Sequence, residues 1–438
     1  MSPSQLISLS FAAAIAAGTL LLALPAAHAP GQHVTLLDAL FTATSAICVT
    51  GLAVVDTSEA WSAFGRVAIM LLIQSGGLGI ITLGTLLAFV SGRRLGFRER
   101  VNLQAQVNAL QVGGVVRLIR HIVLLAFGLE LLGALLLYLR FGPLETAGPG
   151  AFYALFHSIS AFNNAGFSLY PNNLMRFATD PFVNLTVMLL IVLGGLGFPT
   201  LLNVATHLRR RRAPLTLQTK ITLMMTAVLL VAGTTFVCAL EWANPGTLGP
   251  LSWPAKLLAG LFQAVTPRTA GFNTLEYGAM HEATLVFTML LMFIGGSSGS
   301  SAGGIKTVTF FVLAGSAWSL SRGRGELSIY GRRIALDTVL RASVIALISL
   351  MMLGGAITLL TITDSEYSLL PLAFEAFSAF ATTGLSTGIT PELSVLGKLI
   401  LIALMYLGRL GPLTFALALI ERAPEKRIKY PAEDVVIG

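Results

Sequence analysis

Charged residues are scarce in this chain. Only 11% of its 438 residues are Asp, Glu, Lys or Arg, and 55% are hydrophobic. Soluble domains usually carry about 25% charged residues. Several apolar runs reach about 20 residues, which is long enough to cross a hydrocarbon core of ~30 Å. The composition therefore excludes an ordinary soluble enzyme and predicts an integral membrane protein.

Cysteine is nearly absent as well. Cys48 and Cys238 are the only two cysteines, which is too few for a disulfide framework. The sequence also lacks a Walker phosphate loop, a nucleophile elbow and a cluster of metal ligands at characteristic spacing. We therefore expect no enzymatic activity and no cofactor bound by this chain itself.

The N-terminal part has no Lys or Arg before Arg66. An apolar run over residues 6–27 leads into Ala27, His28 and Ala29, which resemble the cleavage site of a secretory signal. Such a signal begins with a positive region, and its apolar part is shorter than this run. We interpret the run as a retained membrane helix, with a cleaved signal as the alternative.

The net charge of +8 raises the alternative of a nucleic-acid-binding surface. The basic residues lie instead in short blocks between apolar runs, which is typical of the cytoplasmic loops of a membrane protein. Four blocks hold 20 of the 28 basic residues: Arg93, Arg94, Arg98, Arg100, Arg117 and Arg120; residues 209–212 with Lys220; Arg322, Arg324, Arg332, Arg333 and Arg341; and Arg422, Lys426, Arg427 and Lys429. An even number of predicted helices separates the blocks, so all of them and both termini are expected on the cytoplasmic face.

Four short segments of the chain resemble one another, and each ends in glycine followed by leucine or phenylalanine. They cover residues 44–52, 160–167, 263–272 and 378–385. Their glycines, Gly51, Gly166, Gly271 and Gly384, are separated by 115, 105 and 113 residues. One match carries little weight, but four at near-constant spacing indicate an internal repeat.

The surroundings of these segments repeat too. A long apolar stretch precedes each one, over residues 5–27, 119–139, 217–240 and 338–362, and another follows, over residues 64–90, 183–206, 284–320 and 394–420. Directly before each segment lies a shorter amphipathic piece, such as 36–48 or 371–382, which cannot span a bilayer as a helix. The predicted fold class is an all-α integral membrane protein with four tandem helix–pore-loop–helix repeats around a pseudo-fourfold pore and eight spanning helices. The predicted repeats are residues 1–100, 101–212, 213–330 and 331–438.

Four such loops meeting on one axis could conduct a cation. Glycine permits backbone dihedral angles that other residues resist, so carbonyl oxygens can turn inward together, and a ring of carbonyls replaces the hydration shell of an ion. Each loop has one glycine where potassium channels have two, so a shorter and less selective filter is expected. The candidate filter residues are Cys48, Val49, Thr50, Gly51, Asn163, Asn164, Ala165, Gly166, Thr269, Ala270, Gly271, Thr382, Thr383 and Gly384.

A glycine- and serine-rich run interrupts the last apolar stretch of the third repeat, between residues 284–294 and 307–320. It contains Gly295, Gly296, Ser297, Ser298, Gly299, Ser300, Ser301, Ala302, Gly303 and Gly304. No regular helix favours this composition, and unpaired backbone is not tolerated in lipid, so the run should face a water-filled cavity. We interpret residues 295–307 as a gate with an inexpensive opening; the alternative is a loop that joins two ordinary helices.

Three charged residues lie inside apolar or half-length segments. Arg409 is costly at membrane depth, by ~2.5–3.5 kcal/mol on insertion scales, and is expected to face a cavity or a partner. We assign it, with Lys306, to the gate, as a positive charge that limits cation flux; the alternative is a tether to helix carbonyls. Glu130 is expected to bond to a neighbouring helix, and Glu375 to support the filter loops or to cap its short helix.

The four loops, the glycine–serine run leading into Ile305, Lys306 and Thr307, and Arg409 together resemble the Ktr/Trk/HKT superfamily of potassium transporters. The resemblance covers essentially the whole chain. The length, with no additional helix pair before the first repeat, is most similar to the membrane subunits of bacterial Ktr systems. The resemblance implies potassium uptake across the bacterial inner membrane through a filter around the four repeat glycines.

The resemblance also implies properties that the residues alone do not indicate. Relatives with serine in place of the first filter glycine tend to pass sodium, so Gly51 favours potassium, whereas Cys48 stands where the family commonly has threonine or another small residue. A homodimer with one pore per subunit and a cytosolic ring of nucleotide-binding regulatory subunits are implied, with transport often stimulated by sodium. A nucleotide would act only through that partner, because this chain has no nucleotide-binding domain.

Two other classes of function remain open from the sequence. A substrate-coupled secondary transporter also uses broken helices with binding sites at the midplane, although such proteins do not usually have four filter-like repeats. A non-conducting subunit of a larger membrane complex is the second alternative. Ion flux by the chain, with and without a partner, distinguishes them.

Overall fold

A computed structural model describes residues 3–79, 115–144, 149–209, 213–323 and 325–411. Over these residues the α-helices are α1 (Pro3–Leu22), α2 (Leu36–Cys48), α3 (Ala63–Leu78), α4 (Val115–Leu144), α5 (Gly150–Phe162), α6 (Pro181–Leu196), α7 (Phe198–Arg209), α8 (Leu217–Glu241), α9 (Trp253–Val265), α10 (Glu282–Phe293), α11 (Thr307–Ser321), α12 (Leu336–Thr363), α13 (Leu369–Ala381) and α14 (Val395–Leu410). Short 3-10 turns lie at Pro25–Ala27, Met175–Phe177, Tyr277–Ala279 and Thr390–Glu392. One hairpin departs from the predicted all-α class: β1 (Ser328–Ile329) pairs antiparallel with β2 (Arg332–Arg333).

Four of the described helices, α1, α4, α8 and α12, are long and apolar enough to cross a membrane. They coincide with the first helices of the four predicted repeats. The second helices are shorter within the described residues, and the predicted spans 64–90 and 394–420 extend into parts of the chain outside them. The bent pair α6–α7 would be a fifth span; the total of eight and the repeat boundaries stay predictions.

The second helix of three repeats ends at a glycine of the same conformation. Gly79, Gly197 and Gly411 follow α3, α6 and α14 with φ of 86°, 84° and 83°. A left-handed φ with extended ψ cannot continue a right-handed helix, and after Gly197 the chain turns by 100° into α7. The prediction of one continuous helix over residues 183–206 is therefore wrong, because hydropathy carries no information about a residue with left-handed dihedral angles.

The four short helices α2, α5, α9 and α13 each contain 13 residues. At 1.5 Å per residue they are about 20 Å long, less than a ~30 Å hydrocarbon core. Each one buries a phenylalanine; the four are Phe41, Phe156, Phe262 and Phe374, with 0–1% exposure. These rings anchor the short helices among the longer ones.

Cyclic contacts arrange the repeats around a common centre. The second helix of each repeat packs on the short helix of the next: α3 on α5, α6 on α9, α10 on α13, and α14 back on α2. The Tyr406 hydroxyl of α14 donates to the Ser8 carbonyl of α1 at 2.9 Å, which closes the circle between the fourth and first repeats. Sequence-distant ends of the chain therefore meet, and the four short helices converge.

Candidate permeation site

The segment after each short helix has the same backbone pattern. A non-glycine residue with positive φ, namely Val49, Asn164, Thr269 or Thr382, is followed two residues later by Gly51, Gly166, Gly271 or Gly384, also with positive φ. Left-handed dihedral angles cost about 1–2 kcal/mol for residues other than glycine. Four repetitions of this cost at one spacing indicate that the surrounding protein holds all four segments in one functional shape.

The four glycines form a closed ring, which we call the glycine ring. A Cβ built on Gly51 would lie 2.5 Å from the Ala165 carbonyl oxygen, and one on Gly166 would lie 2.8 Å from that of Ala270. In the same way, a Cβ on Gly271 would meet the Thr383 carbonyl oxygen, and a Cβ on Gly384 would meet that of Thr50, which closes the ring. The carbonyl before each ring glycine therefore abuts the glycine of the preceding segment in the circle, and no side chain fits at the ring.

Buried hydroxyl groups without partners accompany these carbonyls. Among the described residues, the Oγ1 atoms of Thr50, Thr269, Thr382 and Thr383 have no hydrogen-bond partner, and each of the four residues is 0% exposed. Carbonyl and hydroxyl oxygens are suitable ligands for hard cations. The described residues hold no group of three or more His, Cys, Asp and Glu side chains that could bind a metal.

Two predicted filter residues contribute their side chains to the shell behind the ring. Cys48 is fully buried in an apolar cluster. The Asn163 amide donates to Glu130 at 2.9 Å and to the Ile159 carbonyl at 2.9 Å. Asn164 has positive φ, and its side-chain amide donates to the Ile191 and Phe162 carbonyls, each at 3.3 Å.

Glycines of the second helices press against the ends of the short helices. A Cβ on Gly76, Gly194 or Gly408 would overlap the carbonyl of Ile47, Phe162 or Phe380, respectively. Each of these carbonyls belongs to the residue four positions before its ring glycine. Glycine at these places therefore allows close packing of the second helices on the short helices.

Hydroxyl side chains brace the segments locally. Ser45 Oγ accepts from the Gly51 amide at 3.0 Å, and Ser378 Oγ accepts from the Gly384 amide at 3.1 Å. In the second repeat, Ser160 donates to the Phe167 carbonyl at 2.8 Å, and in the third repeat Thr266 donates to that of Phe272 at 2.5 Å. Sequence reasoning missed these residues, although a hydroxyl five or six places before each ring glycine was a visible signal.

Polar side chains of three short helices hold the chain that leaves the ring. Glu375, which is 0% exposed, accepts from the Thr387 amide at 2.9 Å and from Ser386 and Thr390 hydroxyls at 2.8 and 2.6 Å. His157 bonds to Ser168, and Gln263 to Thr274, at the same spacing of eleven residues. Glu375 lies in the middle of α13, so it supports the loop and does not cap the helix.

Glu375→Ala is expected to lower the melting temperature and to weaken ion discrimination, because four donors, among them both the amide and the hydroxyl of Thr387, lose their buried acceptor at about 1–3 kcal/mol each. Glu375→Gln keeps one acceptor oxygen and should fall between this variant and the parent. Thermal unfolding in detergent and the ratio of competing ions taken up by proteoliposomes measure the two effects. Glu366→Ala, on the exposed α12–α13 connection, is the control; equal behaviour of the two alanine variants would exclude a bracing role.

The predicted interruption of the third repeat's second helix is confirmed, since α10 ends at Phe293 and α11 begins at Thr307. We call residues 295–307 the gate segment. Its two ends are joined by backbone hydrogen bonds from the Gly295 amide to the Ile305 carbonyl at 2.9 Å and from the Thr307 amide to that of Gly296 at 3.1 Å. The segment is therefore a loop whose two ends lie side by side and are joined by hydrogen bonds.

The gate segment is more firmly held than its composition predicts. The Ser297 amide donates to the Gly195 carbonyl at 2.9 Å, and the Ser297 hydroxyl is 3.0 Å from that of Thr222. The Phe198 amide donates to the Gly299 carbonyl at 3.1 Å. A Cβ on Gly303 would lie 2.7 Å from the Ala381 carbonyl. Hydrogen bonds replace the missing apolar anchors, and the segment packs on the end of the fourth short helix.

Arg409 bridges the gate segment and the first repeat. Its guanidinium donates to the Ser301 carbonyl and to the Gly76 carbonyl of α3. Lys306 donates to the carbonyl of Ala302 in the same segment. The two basic side chains predicted for the gate thus both donate to carbonyls of the gate segment. The contacts of Arg409 are those of the alternative prediction, a tether to helix carbonyls.

Comparison with known proteins agrees with this geometry. Residues 3–429 match the TrkH family, described as cation transport protein. The chain is 44% identical to Ktr system potassium uptake protein B of Bacillus subtilis, over 100% of this chain and 97% of that protein. It is 37% identical to potassium/sodium uptake protein NtpJ of Enterococcus hirae, over 100% of this chain and 98% of that protein.

The fold has a solved counterpart. The potassium transporter TrkH from Vibrio parahaemolyticus superposes with a TM-score of 0.75 at 18% identity, covering 96% of this chain and 85% of that one. At this identity the similarity concerns the fold, which is a helical transporter fold with several apolar helices. The family match over nearly the whole length and the full-length relatives decide the affiliation: the chain belongs to the TrkH family of cation transport proteins.

Proposed function

We propose that this protein takes up potassium ions across the bacterial inner membrane by conducting them through the glycine ring. The observation that carries the proposal is the closed contact series Gly51, Gly166, Gly271 and Gly384, in which each neighbouring carbonyl leaves no room for a side chain. The names of the Bacillus and Enterococcus relatives, which specify potassium or potassium and sodium uptake, support the choice of ion.

The ring would act by replacing water around the ion. Backbone carbonyls of Thr50, Ala165, Ala270 and Thr383 stand before the four glycines, and carbonyl oxygens substitute for the hydration shell of a cation. The unpaired threonine hydroxyls beside them add oxygen ligands. With only one ring of glycines the filter is short, so an ion would exchange its water over a small distance.

The gate segment would close the path on the cytoplasmic side of the ring. Its contact with the Ala381 carbonyl supports this position directly beneath the fourth filter segment. Opening requires the loop to leave its bonds to Gly195, Phe198 and Arg409. A movement of α6, α7 or α14 would therefore reach the gate segment through these bonds.

The larger architecture forms part of the proposal. Eight spanning helices in four repeats, with cytoplasmic termini and basic loops, would surround the pore in the lipid bilayer. A homodimer and a cytosolic ring of nucleotide-binding subunits would complete the system, a partnership that the Ktr system names of the relatives support. The exposed basic hairpin at Arg332 and Arg333 lies in one of these loops.

Uptake by purified protein tests the function. Proteoliposomes containing the chain alone should accumulate more rubidium, a potassium tracer, than empty vesicles do. A potassium-uptake-deficient bacterium should grow at low potassium when it expresses the chain with its regulatory subunits. Bacterial growth, but no rubidium flux in proteoliposomes with the chain alone or with its regulatory subunits, would indicate a non-conducting subunit. Flux that saturates at a few ions per second with obligatory exchange would indicate a secondary transporter.

Arg409→Ala is expected to raise potassium flux about tenfold, because a charged hydrogen bond that holds the gate segment closed contributes ~1.5 kcal/mol and a repelling charge is lost at the same time. Arg409→Lys keeps the charge but loses the double contact with Ser301 and Gly76, and should give an intermediate flux. Tracer efflux from proteoliposomes gives the rates, with gel filtration to verify folding. A well-folded alanine variant with parental flux would remove Arg409 from the gate.

A further inference from the structure

A buried polar triad lies behind the second filter segment. Glu130 of α4, which is 2% exposed, accepts hydrogen bonds from Gln74 of α3 at 3.0 Å and from Asn163 at 2.9 Å. Asn163 Nδ2 also donates to the Gln74 amide oxygen at 3.0 Å. Asn163 stands three residues before the ring glycine Gly166, so a carboxylate is held directly behind this segment.

The equivalent place in the third repeat can be identified from helix contacts. Gly76 and Gly194 press on matching short-helix carbonyls and so occupy equivalent positions. Gln74 and Val192 each lie two residues before their glycine, which makes Val192 the counterpart of Gln74. A Cβ on Gly133 would meet Ser158 and Leu190, and a Cβ on Gly233 would meet Ala264 and Leu291, so the two glycines occupy equivalent positions. Glu130 and Leu230 each lie three residues before their glycine. Leu230 is therefore the counterpart of Glu130. Arg268, three residues before Gly271, is the counterpart of Asn163.

Arg268 has the opposite charge from Glu130 and lacks a partner among the described residues. Its side chain is buried, with 6% exposure, and its Nε atom has no acceptor. It lines a small cavity together with Val192 and Leu230, the counterparts of the amide Gln74 and the carboxylate Glu130 that flank the second filter segment. The remaining lining residues are Ile191, Gly195 and Val265.

We propose that Arg268 is an affinity-setting residue: its uncompensated positive charge behind the third filter segment weakens cation binding at the glycine ring and speeds release of the ion. The inference rests on the proposed function of that ring. Arg268 precedes Ala270, the third-repeat residue whose carbonyl faces Gly166, by two residues, so the two Cα atoms are within about 7 Å. Inside a protein, a unit charge acts on a nearby ion with less screening than in water.

A charge of this sign has a use in a conduction path. An ion must bind well enough to lose its water but weakly enough to leave. Glu130 behind the second segment favours the cation, whereas Arg268 behind the third opposes it. The two unlike charges, behind neighbouring filter segments, adjust the field at the ring without occupying it. This would allow a filter with a single glycine per repeat to release its ion.

Three variants test the charge directly. Arg268→Gln should tighten potassium binding to the detergent-purified protein about fivefold and lower the maximal uptake rate in proteoliposomes, because the ion is held longer. Leu230→Glu, with Arg268 intact, supplies the carboxylate that the second repeat has and should shift binding in the same direction. Arg268→Lys retains the charge and should stay within about twofold of the parent in affinity. Calorimetric titration with potassium chloride gives the dissociation constants.

Stability separates a charge effect from an anchoring role. Removing a buried charge that has no partner is expected to leave the melting temperature of Arg268→Gln unchanged or higher, whereas loss of an anchor would lower it. Arg322→Gln, on the exposed end of α11, is the control for a change of net charge. A lower melting temperature with unaltered affinity, or opposite shifts for Arg268→Gln and Leu230→Glu, would overturn the inference. A parent protein that neither binds nor transports potassium would instead refute the proposed function.

Discussion

Replacing Gly51 by serine is expected to reduce the discrimination between potassium and sodium at least tenfold, which corresponds to ~1.4 kcal/mol. Gly51 has φ of 96°, and a Cβ there would lie 2.5 Å from the Ala165 carbonyl oxygen and 3.1 Å from the Gly166 Cα. Backbone atoms cannot move aside without deforming the ring. The second segment would therefore be displaced, and the added hydroxyl would supply a ligand of different geometry.

The control for this substitution is Gly31→Ser. Gly31 has a comparable left-handed φ of 80°, but nothing lies within 4 Å of its Cβ position. Both variants carry the same dihedral strain, and only Gly51→Ser intrudes on the ring. Uptake of rubidium and sodium tracers into proteoliposomes, each in competition with the other ion, gives the selectivity. A folded Gly51→Ser protein with the parental ratio would place the filter elsewhere.

Deleting residues 298–303 is expected to raise potassium flux about 70-fold. The deletion removes the Phe198–Gly299 bond, at ~1 kcal/mol net, and the charged Arg409–Ser301 bond, at ~1.5 kcal/mol, so the closed state loses ~2.5 kcal/mol. The bonds between Gly295 and Ile305 and between Gly296 and Thr307 remain. Because the ends of the gate segment already lie together, the shortened loop can close without separating α10 from α11.

Flux should be measured in proteoliposomes with and without the regulatory subunits, since the shortened loop is also expected to lose its dependence on them. Ser298→Ala serves as the control, because it leaves both backbone bonds of the deleted stretch in place. A shortened protein that folds, as judged by its melting temperature, but conducts as slowly as the parent would show that residues 298–303 do not obstruct the path.

The sequence predicted several elements closely. The short helix expected over residues 36–48 is α2 (Leu36–Cys48), and the interruption expected between residues 294 and 307 separates α10 from α11. Both patterns are local: an apolar run of limited length cannot cross the bilayer, and glycine and serine in series do not form a helix. The four ring glycines were recognisable for a similar reason, because repetition at constant spacing makes a weak signal specific.

Other features depend on which helices become neighbours. The 100° turn at Gly197 follows from contact with the gate segment, where a Cβ would lie 2.8 Å from the Ser298 carbonyl, and hydropathy carries no information on it. Arg409 was predicted as a charge facing the path, but its guanidinium reaches carbonyls of Ser301 and Gly76, which are more than 100 residues away in sequence. No local pattern indicates such acceptors.

The sequence by itself determined the membrane class, the four similar glycine segments and the interruption before Thr307, because hydropathy, glycine content and spacing act within a few turns of chain. Only the tertiary structure decided that the glycines form a closed ring and that the gate segment is held by hydrogen bonds rather than apolar contacts. It also decided that Glu130 lies behind the second filter segment and Arg268 behind the third, with opposite charge. These are relations between distant segments, and their energies depend on neighbours that the fold alone brings together.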